Sequence, residues 1–314
     1  MVVIKRFRSL WGIEPGPQQS EWKKRFIGWK EHGYAGIEID FAGMNTEGLQ
    51  LTRSIADEVG LEISVTLFSS WPKYIGPRPA GLTPEYHAEF FREQLKLASI
   101  LNPVRVNAQS GAYAIHLHHT TRNFKIRVDS QLTLCSDHFS WDDSVRFYQL
   151  ALQVAKEEGF EGRVCHETHR NRSLFNPYAA NYILQRVPEL KITADISHWV
   201  VVSERLLDEG EEDAAILSRV IPHVGHIHAR TGTTQSSQCP EPLNPIFTAE
   251  REFFEKFWVR VIQHRQKTDP ESTLTWVPEY GPYPYHPINT AQTFDELADS
   301  EGKRLEALFA SVVG

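Results

Sequence analysis

The chain has 314 residues, 41% of them hydrophobic, which is enough to bury a sizeable core. A net charge of −7 with no run of Lys or Arg argues against nucleic acid or an acidic membrane as a partner. No apolar stretch approaches the roughly 20 residues that cross a bilayer, and Lys5, Arg6 and Arg8 break the start too early for a signal-peptide core.

The first β-like run is IKRFRSLWG (4–12), followed by a helix with Ser20 as N-cap, Trp22, Phe26 and Trp29 on one face, and Gly33 as terminator. GIEIDF (36–41) and LEISVTLF (61–68) are the second and third runs. Thr83-Pro84 then places an N-cap before a proline at the first helical position. PVRVNA (103–108) is the fourth run, and the longest connection, Gly111 to Trp141, follows it. Its Tyr113, His116, His118, His119 and Phe124 suit a lid or an oligomer contact. A helix from Asp142 to Glu158 ends at Gly159, and RVCHET (163–168) is the fifth run. Asn176-Pro177 repeats the cap-and-proline device before KITADIS (191–197). The acidic stretch 208–213 reads as a solvated surface. VGHIHA (224–229), a Phe-rich helix opened by Thr248, TLTWVPEY (273–280) and a last helix from Asp295 to Val312 complete the chain.

Eight strands alternating with helices predict parallel pairing under a helical cover. Eight units in this length fit a closed (β/α)8 TIM barrel, one domain over residues 1–314, better than an open doubly wound sheet. No GxGxxG or phosphate-binding loop follows the first strand. Cys135, Cys165 and Cys239 form neither a zinc pattern nor a disulfide framework, which fits a reducing, cytoplasmic compartment.

Active sites of such barrels lie at the C-terminal strand ends. There the last four runs carry Glu167, Asp195, His228 and Glu279, one per strand at matched positions. A lone Glu or His at a strand end is usually solvated or hydrogen-bonded. Four on successive strands make a ligand set for one divalent cation, with Mn²⁺ or Mg²⁺ suiting the carboxylates and Zn²⁺, Co²⁺ or Ni²⁺ also compatible with the imidazole. Open coordination positions would take two oxygens of a hydroxy-carbonyl substrate, and Glu167 and Glu279 are placed to move a proton on carbon. His226 shares a face with His228 one layer deeper, as a packed histidine. Glu38 reads as a buried partner for a barrel-floor donor. Asn107 is a hydroxyl contact or a turn residue, and His198 a substrate contact, a base or a structural helix contact. His169 and Arg170 face the mouth. Arg170 and Arg172 hold an anion or are solvated. Trp11, Trp71 and Tyr280 stack on a sugar or pack the rim.

Through ETHR (167–170), ADISHW (194–199), GHIHAR (225–230) and PEYGP (278–282), the chain resembles the xylose isomerase-like barrel superfamily, in its sugar phosphate isomerase/epimerase branch. The resemblance runs from the FRSLWG start to the eighth strand. It implies metal binding by Glu167, Asp195, His228 and Glu279, with the two Glu as the acid/base pair of an isomerase or epimerase working through an enediolate. It also implies substrate contacts at His198 and, more weakly, Arg230, with Asn107 and His169 as further substrate-binding candidates. A small carbohydrate-like substrate and a homodimer or homotetramer accompany it. Relatives that are lyases or dehydratases use the same ligands, so the metal set leaves that outcome open. An endonuclease IV-like phosphodiesterase fits less well, because it needs a multi-metal cluster and a basic surface.

Overall fold

The computed structural model describes residues 1–13, 19–70, 82–115, 138–208 and 210–314. Eight parallel strands close into a barrel: β1 (Val3–Ser9), β2 (Gly36–Asp40), β3 (Glu62–Phe68), β4 (Arg105–Gln109), β5 (Val164–Glu167), β6 (Ile192–Ala194), β7 (Val224–His228) and β8 (Thr273–Val277). They pair in chain order, and Val3 opposite Thr273 joins β1 to β8. The expected (β/α)8 barrel is therefore the fold found. Helices α1 (Gln19–Glu31), α2 (Thr46–Val59), α3 (Pro84–Ala98), α4 (Trp141–Glu157), α5 (Pro177–Leu184), α6 (Ser197–Ser203), α7 (Glu211–Val220), α8 (Thr248–Thr268) and α9 (Phe294–Val313) cover it. No helix among the described residues is long and apolar enough to cross a membrane.

Alternation along each strand sorts the side chains. Ile37, Ile63, Val106, Ile227 and Trp276 face outward into the apolar layer beneath the helices. Their neighbours Glu38, Ser64, Asn107, His226 and Thr275 face inward, all within 3% of full burial and hydrogen-bonded to one another or to Glu167. This barrel thus has its oily core outside and a polar interior. Between β6 and β7 the register skips Gly225, where a Cβ would stand 2.7 Å from Cys165 Sγ.

Strand six is shorter than the predicted 191–197. Asp195 leaves the ladder, and its Oδ1 accepts from Ser197 N (3.1 Å), turning the chain into α6. Thr83 and Asn176 cap α3 and α5 as expected, each before a proline. Ser20 is not an N-cap, because α1 already runs from Gln19. Asp213 is not solvated: it is 5% exposed and Arg205 grips both its carboxylate oxygens. The long connection leaves and returns through a parallel pair, Tyr113–Ile115 with His138–Ser140. His116, His118, His119, Phe124, Cys135 and Trp71 lie outside the described residues.

Candidate active site

Four elements deliver the strand-end set to the barrel mouth. Glu167 ends β5, Asp195 follows β6, His228 ends β7, and Glu279 lies two residues past β8. Ligand atoms of Glu167, Asp195 and His228 lie within 4.8 Å of one another. Glu279 Oε2 stands 3.2 Å from His228 Nδ1. All four residues are at most 9% exposed. Besides each other and the Arg230 guanidinium beside Glu279, His228 Nδ1 and Glu279 Oε2 make no regular hydrogen bond among the described residues. Three carboxylates and an imidazole crowded together in a buried place are costly unless a cation shares them, and a divalent cation fits that place and those donors.

The electrostatics follow from burial. Burial pushes the Glu167 carboxyl up to about 7; Glu279 and Asp195 add to the rise, against the pull of His228 and a hydrogen bond from Asn107 Nδ2 (2.7 Å). Burial disfavours charge on His228, yet Glu279 and Glu38 outweigh it and hold the ring well above the usual imidazole range. Burial likewise raises Glu38, but His228 and His226 reverse this and hold its carboxyl far below the ordinary value. His198 and His169, with ring centroids 4.3 Å apart, are pushed well below the usual range by burial. Arg230 and Arg170 add to the depression of both. Both rings are therefore neutral.

Arg230 is an arginine buried within the ligand set. It is 1% exposed; its NH2 bonds Asp195 and lies 3.3 Å from both Glu279 Oε2 and His198 Nε2. The ligand set opens into a cavity of about 1360 Å³ whose wall includes Glu167, Glu279, His169, His198 and Arg230. Asp195 and His228 lie behind this wall, as does Asn107, fully buried with its amide nitrogen on Glu167. Trp11 lines the cavity edge-on to Tyr285 (4.8 Å), seated where a Cβ on Gly281 would meet its ring at 2.1 Å. Tyr280 takes no part. It is 1% exposed and packs with Leu297 and Ala298. Nor is Arg172 a solvated arginine, at 1% exposure over the Phe68 ring. Arg170 is half-buried and donates to Ser237 Oγ (3.1 Å) and Tyr285 OH (3.2 Å).

Tyr285 escaped sequence reasoning: it comes from the irregular segment after β8, which has no period to read. Glu38 is the buried partner expected, held by Ser64 and His226, but its second bond reaches the strand-end His228, a link that sequence reasoning did not make. The inward parity of β2 and β7 was the available signal.

No family model matches the sequence, and no curated protein matches it. Solved structures do match over almost the whole chain. A D-allulose 3-epimerase from Methylomonas sp., solved with D-allulose, is 14% identical with a TM-score of 0.56, covering 98% of each chain. The probable 3-DHS dehydratase AsbF from Bacillus anthracis is 13% identical with a TM-score of 0.53, covering 98% of this chain and 99% of its own. The IOLI protein, solved with a bound zinc atom, is 11% identical with a TM-score of 0.54, covering 98% of each. At such identities the likeness is one of architecture: this chain shares the closed (β/α)8 barrel fold of these proteins.

Proposed function

We propose that this chain is a divalent-metal-dependent isomerase or epimerase acting on a small sugar or related hydroxy-carbonyl compound. The carrying observation is the apposition of His228 Nδ1 and Glu279 Oε2, buried and 3.2 Å apart, beside Glu167 and Asp195. When bound there, a divalent cation supplies Lewis-acid polarisation of a substrate carbonyl. Glu167, Asp195, His228 and Glu279 would hold it. Glu167 is suited to proton transfer by its place, at the end of β5 and facing the cavity beside the other ligands. Asn107 steadies that carboxylate from below. Glu279, from another strand, is the second acid/base group. Arg230, His198 and His169 would meet substrate oxygens on the wall, and Trp11 with Tyr285 would exclude water from one side. The sugar-bound epimerase of the same fold supports the substrate class.

A lyase reading has its own observation: His198 is neutral and lines the cavity beside Glu167 and Glu279, as an unprotonated base would have to be. Incubating ketoses with the Mn²⁺-loaded protein in D₂O separates the two. Deuterium on the carbon beside the carbonyl, with no product of lower hydration, is expected for the isomerase; loss of water without retained isomer marks the lyase. Metal analysis should find about one divalent ion per chain, and Asp195→Asn or Glu279→Gln should abolish turnover. Full turnover in both variants would sink the site.

A further inference from the structure

We infer that Glu38 is a positioning residue that fixes His228 in the one orientation and tautomer able to offer Nδ1 to a divalent cation, an inference that rests on the metal reading above. Glu38 sits mid-strand in β2, 3% exposed, across the barrel from β7. Its Oε1 lies 2.9 Å from His228 Nε2. Its Oε2 lies 3.1 Å from His226 Nε2 and accepts from Ser64 Oγ at 2.7 Å.

The protons in this group follow from Glu38, whose carboxylate can only accept. His226 and His228 therefore both present a protonated Nε2 to it. On a neutral His226 that leaves Nδ1 to accept from the Thr275 hydroxyl, 2.6 Å away, and Arg105 Nε donates to the same hydroxyl oxygen (3.3 Å). On His228 it leaves Nδ1, 3.2 Å from Glu279 Oε2, as the ligand atom. Glu38, His226 and His228 also approach one another closely enough to suggest a metal site of their own. Hydrogen bonds account for that cluster instead, since both imidazoles turn protonated nitrogens towards the carboxylate. Carboxylates placed behind a ligating histidine in this way set ring orientation and ligand basicity, and losing one typically weakens metal binding about 10–100-fold.

The test starts with Co²⁺ titration of the metal-free wild type and Asp195→Asn, followed by calorimetry and visible absorption. Binding of one ion by the wild type, lost in Asp195→Asn, upholds the site; no binding by the wild type overturns the metal reading itself. With binding in hand, Glu38→Gln should weaken Co²⁺ about 10–100-fold and change its absorption spectrum, and Glu38→Asp should recover part of both. Unchanged affinity and spectrum in a folded Glu38→Gln overturn the role of Glu38 and leave the site standing. Long-range ¹H–¹⁵N correlation of the histidine rings in the Zn²⁺-loaded wild type reads the tautomer directly, even if Glu38→Gln does not fold. A proton on His228 Nε2 is expected. A proton on Nδ1 instead overturns the inference.

Discussion

Glu167 shows how much of a ligand's behaviour is set by what surrounds it. Its neighbours in the ladder bury it to 1% exposure, and burial brings the carboxyl to about 7. His228 is displaced upward too, by Glu279 and Glu38 acting against its own burial. Both groups must lose a proton before they can ligate, so metal binding releases protons. Affinity should therefore rise with pH across the range around 7 and fall away on the acid side. Co²⁺ titrations at pH 6, 7 and 8 check this, and a flat profile would count against these two residues as ligands. At this scale the sequence was readable where chemistry stood at a strand end, as with Glu167, Asp195, His228 and Glu279. It was unreadable where a role depends on a partner far along the chain. Glu38 and His228 are 190 residues apart, and only the closed barrel brings them together.

The helix caps are the clearest case of local signals surviving into the fold. Asn176 accepts from Ala179 N (2.8 Å) with Pro177 behind it, so α5 begins where the dipeptide says it should. The cap also fixes the exit of the β5 loop that carries Arg170 and Arg172. Asn176→Ala should cost about 1 kcal/mol, read as a lower urea midpoint with unchanged slope. Ser20 failed as a cap because capping depends on extended backbone at that residue, and a serine inside a helix has the same letters. The segment after β8 was equally opaque. Its stack of Trp11 on Gly281 and against Tyr285 has no periodicity, only shape.

Across the whole molecule the eightfold alternation was legible because strand and helix patterns follow one another along the whole chain. Closure adds an acid sensitivity that no single element has. His166 points outward from β5 into the rings of Phe91, Phe147 and Tyr148, and burial pushes it to about 3. In the unfolded chain the ring titrates near 6.5. A folded value depressed below the unfolded one gives stability that is complete above about 6.5 and is lost as pH falls towards 3. Between pH 7 and 5 this amounts to about 2 kcal/mol. Urea unfolding at the two pH values should show it, with a smaller difference in His166→Gln. The barrel interior carries a consequence of another kind. Arg105 donates to Thr275, Thr275 to His226, and His226 and His228 both donate to Glu38, so the directions of the row converge on one carboxylate. Exchanging a member for an oily residue would strand its neighbour's buried polar atom, so the five side chains stand or fall as one unit.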